Sequence, residues 1–180
     1  MSTDSQTGSQ FYQSFKSNLE ALRCFPEDLL LNRLLFSQII TLLEKYLLDV
    51  FIHEITTNTT KLQTLANHNK FREQKLGIAF ALNNSVRDWI IDTMRKMVWH
   101  RLNDVQILYK AVLGITFELE RPIIEAINKR HDLIHRNGFD LRGNNVPVTH
   151  ADLCGLINAV DSFVINIDEK YNAVRCGNPS

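Results

Sequence analysis

From residue 30 onward, apolar residues return every three or four positions: Leu30, Leu34, Leu35, Ile39, Leu42, Leu43, Tyr46, Leu47 and Val50. That period is the mark of an amphipathic α-helix, and it extends to about Ile55. Pro26 suits a first helical turn, and Glu27 and Asp28 suit the positive end of a helix, so the spacing predicts a long early helix beginning there. Its opposite side carries Leu31, Ile40, Leu48 and Phe51. This apolar surface is wider than the stripe of roughly 100° that one core contact needs, and burial on two sides, one of them against another subunit, would account for it.

The polar stretch TTNTTKLQTLANHNK separates this helix from the next, which starts at Asn84 or Ser85 as N-cap and carries Val86, Trp89, Ile90, Met94, Met97 and Val98 at helical intervals. A third segment runs from about Asn103 to Leu113 and stops at Gly114. A fourth covers Glu118 to Asn137, with Ile123, Ile124, Ile127, Leu133 and Ile134 apolar and Gly138 as its C-terminal stop. The segment FDLRGNNVPV breaks the pattern. Thr149 with Asp152 three residues on then forms a variant capping box that opens a last helix through about Tyr171. No internal repeat and no convincing strand alternation are present, so the expected fold is an all-α helical bundle. Residues 1–10, all polar or small after Met1, are expected to form a disordered N-terminal tail, residues 11–172 a single domain, and residues 173–180 a C-terminal tail.

Composition agrees with one ordinary globular domain: 180 residues, 44% hydrophobic and 22% charged, with only 7 Gly and 4 Pro. Lys plus Arg (20) balances Asp plus Glu (20), so any attraction to an anionic partner must come from a local patch. Cys24, Cys154 and Cys176 are odd in number and lack the paired spacing of a disulfide framework or a zinc knuckle, which fits a reducing cytoplasm. The amino terminus is polar, and no apolar run approaches the roughly 18 residues of a membrane span, so neither secretion nor membrane association is expected.

Gly-rich phosphate loops, the GxSxG elbow and paired-cysteine metal sites are all missing from the chain. What stands out is INKRHDLIHRNG, where Lys129, Arg130, His131, His135 and Arg136 place three fixed positive charges and two imidazoles within eight residues, against one acid, Asp132. Cations near a helix C-terminus are favoured by the helix dipole, and the plain interpretation is a charged helix end. His131 and His135, four apart, share a helical face as zinc-binding histidines do. The Glu of the zincin motif is absent, however, no third ligand is evident, and three cations stand nearby, so no metal and no cofactor is expected. Attack on an RNA phosphodiester needs the same residue types: an imidazole to move the 2′-hydroxyl proton and a guanidinium to stabilise charge developing on phosphate. Arg130 and His135 lie about 140° apart on a regular helix. One copy therefore makes no compact site, whereas two copies facing each other could.

Arg130, the polar His131, three further positions and then His135 resemble the motif of HEPN domains, in which Arg precedes His by four to six residues. A second match exists at Arg95 and His100. The later one ends the penultimate helix, is followed by Asn137 and Gly138, and precedes one final helix, as in the HEPN arrangement. The likeness extends to LLFSQIITLLEKYLLDVF, similar to the long early helix of the family, and to VWHRLNDVQILYKAVLGI, similar to the segment before the motif helix. It covers most of residues 27–172 and is nearest to stand-alone RiboL-PSP-like HEPN proteins. The resemblance implies a helical bundle that homodimerises and joins the Arg and His of both chains in a basic cleft. It further implies a metal-independent endoribonuclease in phage (antiviral) defence, a toxin–antitoxin pair or RNA processing, with an antitoxin or defence-system protein as a further partner. Non-catalytic HEPN modules that bind RNA or protein are the alternative.

Carried over by residue, the likeness makes Arg130 the stabiliser of the phosphate and His135 the general base or acid. His131 would orient the site or bind substrate, and Lys129 and Arg136 would contact flanking phosphates. Asn137 stands where toxins inactivated by nucleotidyl transfer carry Tyr, so that form of control is not expected. Arg95 and His100, beside Met97, Val98 and Trp99, are assigned a structural role. Trp89, Trp99, Phe36 and Phe51 are expected in the core, and His53 and His68 at the surface. His150 falls in a first helical turn with no chemistry assigned to it, and the RGNN segment at 142–145 reads as a polar turn.

Overall fold

A computed structural model describes residues 8–25, 28–83 and 85–177. All the regular structure in these residues is helical, with one isolated bridge between Phe139 and Asn145. The helices are α1 (Gln10–Ala21), α2 (Leu29–Thr57), α3 (Thr59–Ala66), α4 (Asn69–Arg72), α5 (Ile78–Asn83), α6 (Val86–Arg95), α7 (Leu102–Leu108), α8 (Arg121–His135) and α9 (His150–Gly177). No helix among the described residues is long and apolar enough to cross a membrane. The chain divides into two compact units, one formed by the segments up to Tyr46 and from Phe117 onward, the other by Leu47–Thr116.

The first unit is built from α1, the first half of α2, α8 and α9. Along α9 the buried positions are Leu153, Leu156, Ile157, Val160, Phe163, Val164, Ile167 and Tyr171, the spacing that keeps one helical face in the core. Phe15 of α1 meets Tyr46 of α2 edge to face at 5.9 Å, and Phe117 meets Phe163 at 5.5 Å. Asp168, buried at 2% exposure, is the polar knot of this core. It accepts from the Ser9 backbone N–H at 2.7 Å, the Tyr46 hydroxyl at 2.9 Å, the Asn172 amide at 3.0 Å and the Ser9 hydroxyl. These bonds satisfy a carboxylate that would otherwise be costly to bury.

Several expectations are corrected here. The polar tail was expected to run through residue 10, but Ser9 is buried on Asp168 and caps α1, a helix that was not expected. Asp28 caps α2, its carboxylate accepting from the Leu31 N–H at 2.8 Å, whereas the proposed starters Pro26 and Glu27 lie outside the described residues. Leu30 and Leu34, on the stripe that marks this helix, are 68% and 61% exposed within the chain, while Ile40 and Phe51 on the opposite side are fully buried. Ile124 and Ile134 of α8 are exposed as well. The motif helix begins at Arg121, later than Glu118, because Pro122 is tolerated only in a first turn. The expected capping box holds: Thr149 and Asp152 exchange hydrogen bonds of 2.8 to 3.1 Å. The helix it opens passes Tyr171 and continues to Gly177, so most of the expected C-terminal tail is helical, and residues 178–180 lie outside the described ones.

The second unit holds the rest of α2 with α3 to α7. Phe51 sits between Trp99 and Tyr109 at 5.5 and 5.8 Å, the Trp99 indole donates to the Met94 carbonyl, and the Tyr109 hydroxyl donates to the Leu47 carbonyl at 2.6 Å. The stretch read as a polar separator contains α3, which buries Leu62 and Leu65 behind an Asn58 cap, and Glu54 forms an ion pair with Lys61. Ser85 is the cap of α6; the other candidate, Asn84, lies outside the described residues. Trp89 is half-buried against Phe71, not enclosed, and Val98 is exposed. After α7 the chain widens into a π-helical turn, Tyr109–Leu113, and Gly114 ends it at φ 72°, the left-handed conformation glycine adopts without strain.

Candidate functional site

Helix α8 presents the motif at its C-terminal end. The helix stops where Asn137 (φ 53°) and Gly138 (φ 83°) turn left-handed and the Gly138 N–H reaches back to the Asp132 carbonyl at 3.1 Å. A side chain at residue 138 would collide with the guanidinium of Arg33, which lies across this turn and donates to Asn145 at 2.7 Å. Arg33 of α2 thus places a further cation at the motif turn. The loop that follows is fixed by Asp140, which accepts from the N–H groups of Arg142 and Asn144 and from the Asn144 side chain. The Asn144 hydrogen bonds, side chain first, hold the Asp140 carboxyl below its usual range.

His131 and His135 do come together. Both are exposed, one turn apart, with ring centroids 4.6 Å from each other. The fixed cations are deployed differently. Arg130 turns inward with only 16% of its side chain exposed and forms an ion pair with Glu44 of α2 at 3.5 Å. Lys129 forms an ion pair with Asp152 of α9 at 3.4 Å and lies over the Phe36 ring at 5.3 Å. Arg136 closes onto Asp132 within α8. Arg130 and His135 are therefore not adjacent in one chain, as their spacing on the helix requires, and each of the three motif cations already faces a carboxylate. Burial by itself would raise the pKa of Asp152, but hydrogen bonds from the Thr149 N–H and hydroxyl, with the charge of Lys129, outweigh it and hold the carboxyl below the usual aspartate range.

Beside this helix end runs a groove of about 640 Å³, lined by Leu30, Arg33 and Leu34 of α2 and by Leu133, Ile134 and Asn137. Its apolar wall includes Leu30, Leu34 and Ile134, which the core leaves exposed, and Arg33, Ser37, Gln38, Thr41 and Asn137 make the rest of the lining polar. The other motif match is built differently: Arg95 is the last residue of α6, exposed and paired with Asp92 at 3.2 Å, while His100 lies beyond the helix in the turn before α7. Among the described residues, no three His, Cys, Asp or Glu side chains converge to hold an ion. Sequence reasoning missed Glu44, Asp152 and Arg33 as members of the site, since each arrives from another helix. It passed over His150 and Cys154, although their four-residue spacing was legible.

No protein-family model matches the chain, and no match was found among curated proteins or among solved structures. The HEPN likeness therefore rests on the sequence alone, on RHDLIHRNG and the segments LLFSQIITLLEKYLLDVF and VWHRLNDVQILYKAVLGI.

Proposed function

We propose that this protein is a metal-independent endoribonuclease of the HEPN type that acts as a homodimer. The observation that carries this reading is the exposed pair of imidazoles, His131 and His135, at the end of a helix that also bears Arg130 and Arg136. In the proposed reaction His135 takes the proton from a ribose 2′-hydroxyl. The freed oxygen attacks the adjacent phosphorus, the bond to the 5′ oxygen breaks, and a second imidazole returns a proton to that leaving oxygen. The products are a 2′,3′-cyclic phosphate and a 5′-hydroxyl. Arg130 would stabilise the charge on the phosphorane, with Lys129, Arg136 and Asn137 around the flanking chain.

The homodimer brings two such helix ends together, which one copy cannot do because Arg130 and His135 diverge. Leu30, Leu34 and Ile134 beside the motif supply an apolar face for it. A cytoplasmic setting in phage defence or a toxin–antitoxin pair, with a restraining partner protein, fits such an activity. One observation favours the second reading, a non-catalytic HEPN module that binds RNA or protein: the partnering of Lys129, Arg130 and Arg136 with acids.

The discriminating experiment incubates the purified protein with a labelled mixed RNA pool in excess EDTA, beside His135→Ala, and identifies the product ends. Cleavage by the wild type alone, leaving cyclic phosphates, supports the nuclease. Equal cleavage by both proteins overturns the assignment of His135, and an intact dimer that binds RNA without cutting it supports the non-catalytic module.

A further inference from the structure

The imidazole pair of α8 has the geometry of a proton-transfer site and also that of a metal chelate. His131 and His135 share one face of the helix, one turn apart and both exposed, with ring centroids 4.6 Å apart and planes inclined at 45°. An ion held about 2.1 Å from one nitrogen of each ring puts the ring centres about 4.5 Å apart when the two bonds are at right angles, and about 5.2 Å apart at the tetrahedral angle. The observed separation lies within about 1 Å of both, a difference that side-chain rotation on an exposed helix face covers.

Three neighbouring cations argue against an ion here as long as they are counted along the chain. In the folded protein each faces a carboxylate: Lys129 meets Asp152 at 3.4 Å, Arg130 meets Glu44 at 3.5 Å, and Arg136 closes onto Asp132. Arg33 is the exception, held across Gly138 by its bond to Asn145. Opposing it is the helix itself, because His135 is the last residue of α8, where the backbone carbonyls concentrate partial negative charge and favour a cation. The donor type then selects the ion. Imidazole suits zinc, copper and nickel, whereas magnesium and calcium need carboxylate and carbonyl oxygens, and the nearest acid in the helix, Asp132, is engaged by Arg136.

We propose that His131 and His135 form a two-imidazole site for a divalent first-row transition ion, and that occupancy of this site switches off RNA cleavage. The inhibitory half rests on the proposed nuclease. An imidazole whose lone pair is bound to an ion cannot take the 2′-hydroxyl proton, so ion and reaction compete for the same atoms. Water fills the remaining coordination positions, which keeps the ion exchangeable and open to removal by a chelator.

The probe is Zn²⁺ alone, added to the folded full chain with a phosphine reductant that keeps the thiols reduced, and binding is followed by competition with a chromophoric chelator in the absence of RNA. Replacing either imidazole removes the chelate, so His131→Ala and His135→Ala, both at exposed positions, are each expected to weaken zinc binding at least about tenfold. His150→Ala is the control, because the His150 Nε2 lies 3.5 Å from the Cys154 Sγ and offers another pair of donors four residues apart. It is expected to leave the affinity unchanged. A wild type that binds no zinc, unchanged affinity in either α8 variant, or loss of binding in His150→Ala instead overturns the site. In a second arm, labelled RNA is incubated with the wild type over the same zinc series and then with excess EDTA. Cleavage is expected to fall by half at the zinc concentration that half-fills the site and to return with EDTA, and cleavage that persists in the zinc-loaded protein overturns the inhibitory role. Absence of cleavage in EDTA overturns the nuclease and the inhibitory role with it, while the zinc affinities of the α8 variants still decide the site.

Discussion

Under the proposed function, replacing Glu44 by Gln is expected to tighten RNA binding, the reverse of what removing a residue near a binding site usually does. Glu44 and Arg130 form an ion pair at 3.5 Å, with 22% and 16% of their side chains exposed. At the effective dielectric of such a partly buried position, Coulomb's law gives about 5 kcal/mol between the charges. Solvent screening and the desolvation of both groups reduce the net value to about 1–2 kcal/mol. An RNA phosphate that engages Arg130 must displace Glu44 and forgo that energy. Glu44→Gln keeps the shape and removes the competing charge, so single-stranded RNA should bind about 5- to 30-fold more tightly. Fluorescence anisotropy over a salt series checks this. The slope of log affinity against log salt should also steepen by about 0.7 for each additional phosphate that the protein neutralises. The same substitution leaves Arg130 without its carboxylate partner, so a lower melting temperature should accompany the rise in affinity. Unchanged affinity and slope, in a variant whose melting temperature has fallen, would show that the pair was broken and that Arg130 does not meet phosphate.

Asp168→Ala strands the donors of Ser9, Tyr46 and Asn172 in a buried site; it should cost about 3–5 kcal/mol and lower the melting temperature by about 10 °C, and a fall below about 2 °C would contradict the role given to this carboxylate. On the proposed homodimer, Leu34→Asp, at a position already 61% exposed, should leave the fold intact and turn a wild-type dimer, seen by light scattering, into a monomer that does not cleave RNA; a variant that remains dimeric would place the interface elsewhere. Asp152 is held below its ordinary range, so its contribution is present at neutral pH and is lost as pH falls below about 4, through its folded-state value. In Asp152→Asn the difference in urea stability between pH 7 and pH 3 should shrink, and an unchanged difference would contradict the assignment.

The long helices were legible because their apolar residues repeat often enough to define a face. In α2 and α9 many buried positions follow one period, and capping residues mark their starts. Helix α3 failed that test: it shows only the single apolar step Leu62 to Leu65, and its Asn58 cap without a stripe behind it is as consistent with a turn as with a helix. Helix α1 was legible and was passed over, since Phe11, Phe15 and Leu19 recur every four residues behind the Ser9 cap. The end of α9 was misplaced for a different reason. Its last buried residue is Tyr171, and beyond it the helix continues on its own hydrogen bonds, which no hydrophobic pattern reports. Periodicity also identified a side of α2 without saying what covers it. Leu30 and Leu34 belong to the stripe by position, yet no described part of this chain buries them.

The site was legible in its imidazoles and not in its charge. Two histidines four apart on a helix must share a face, and they do. Counting three cations and one acid within eight residues suggested a basic patch, because a count along the chain samples only neighbours in sequence. In a helical bundle the groups that set a local field come from the helices packed alongside, here Glu44 from α2 and Asp152 from α9. Those acids make the inward-turned guanidinium of Arg130 and the half-buried ammonium of Lys129 tolerable in the folded chain, since a buried cation without a partner costs several kcal/mol. A site charge-balanced in this way binds phosphate only by exchanging a carboxylate for it. The affinity for RNA under the proposed function is then a difference between two ion pairs, and substitutions of the acids test that proposal as directly as substitutions of the arginine.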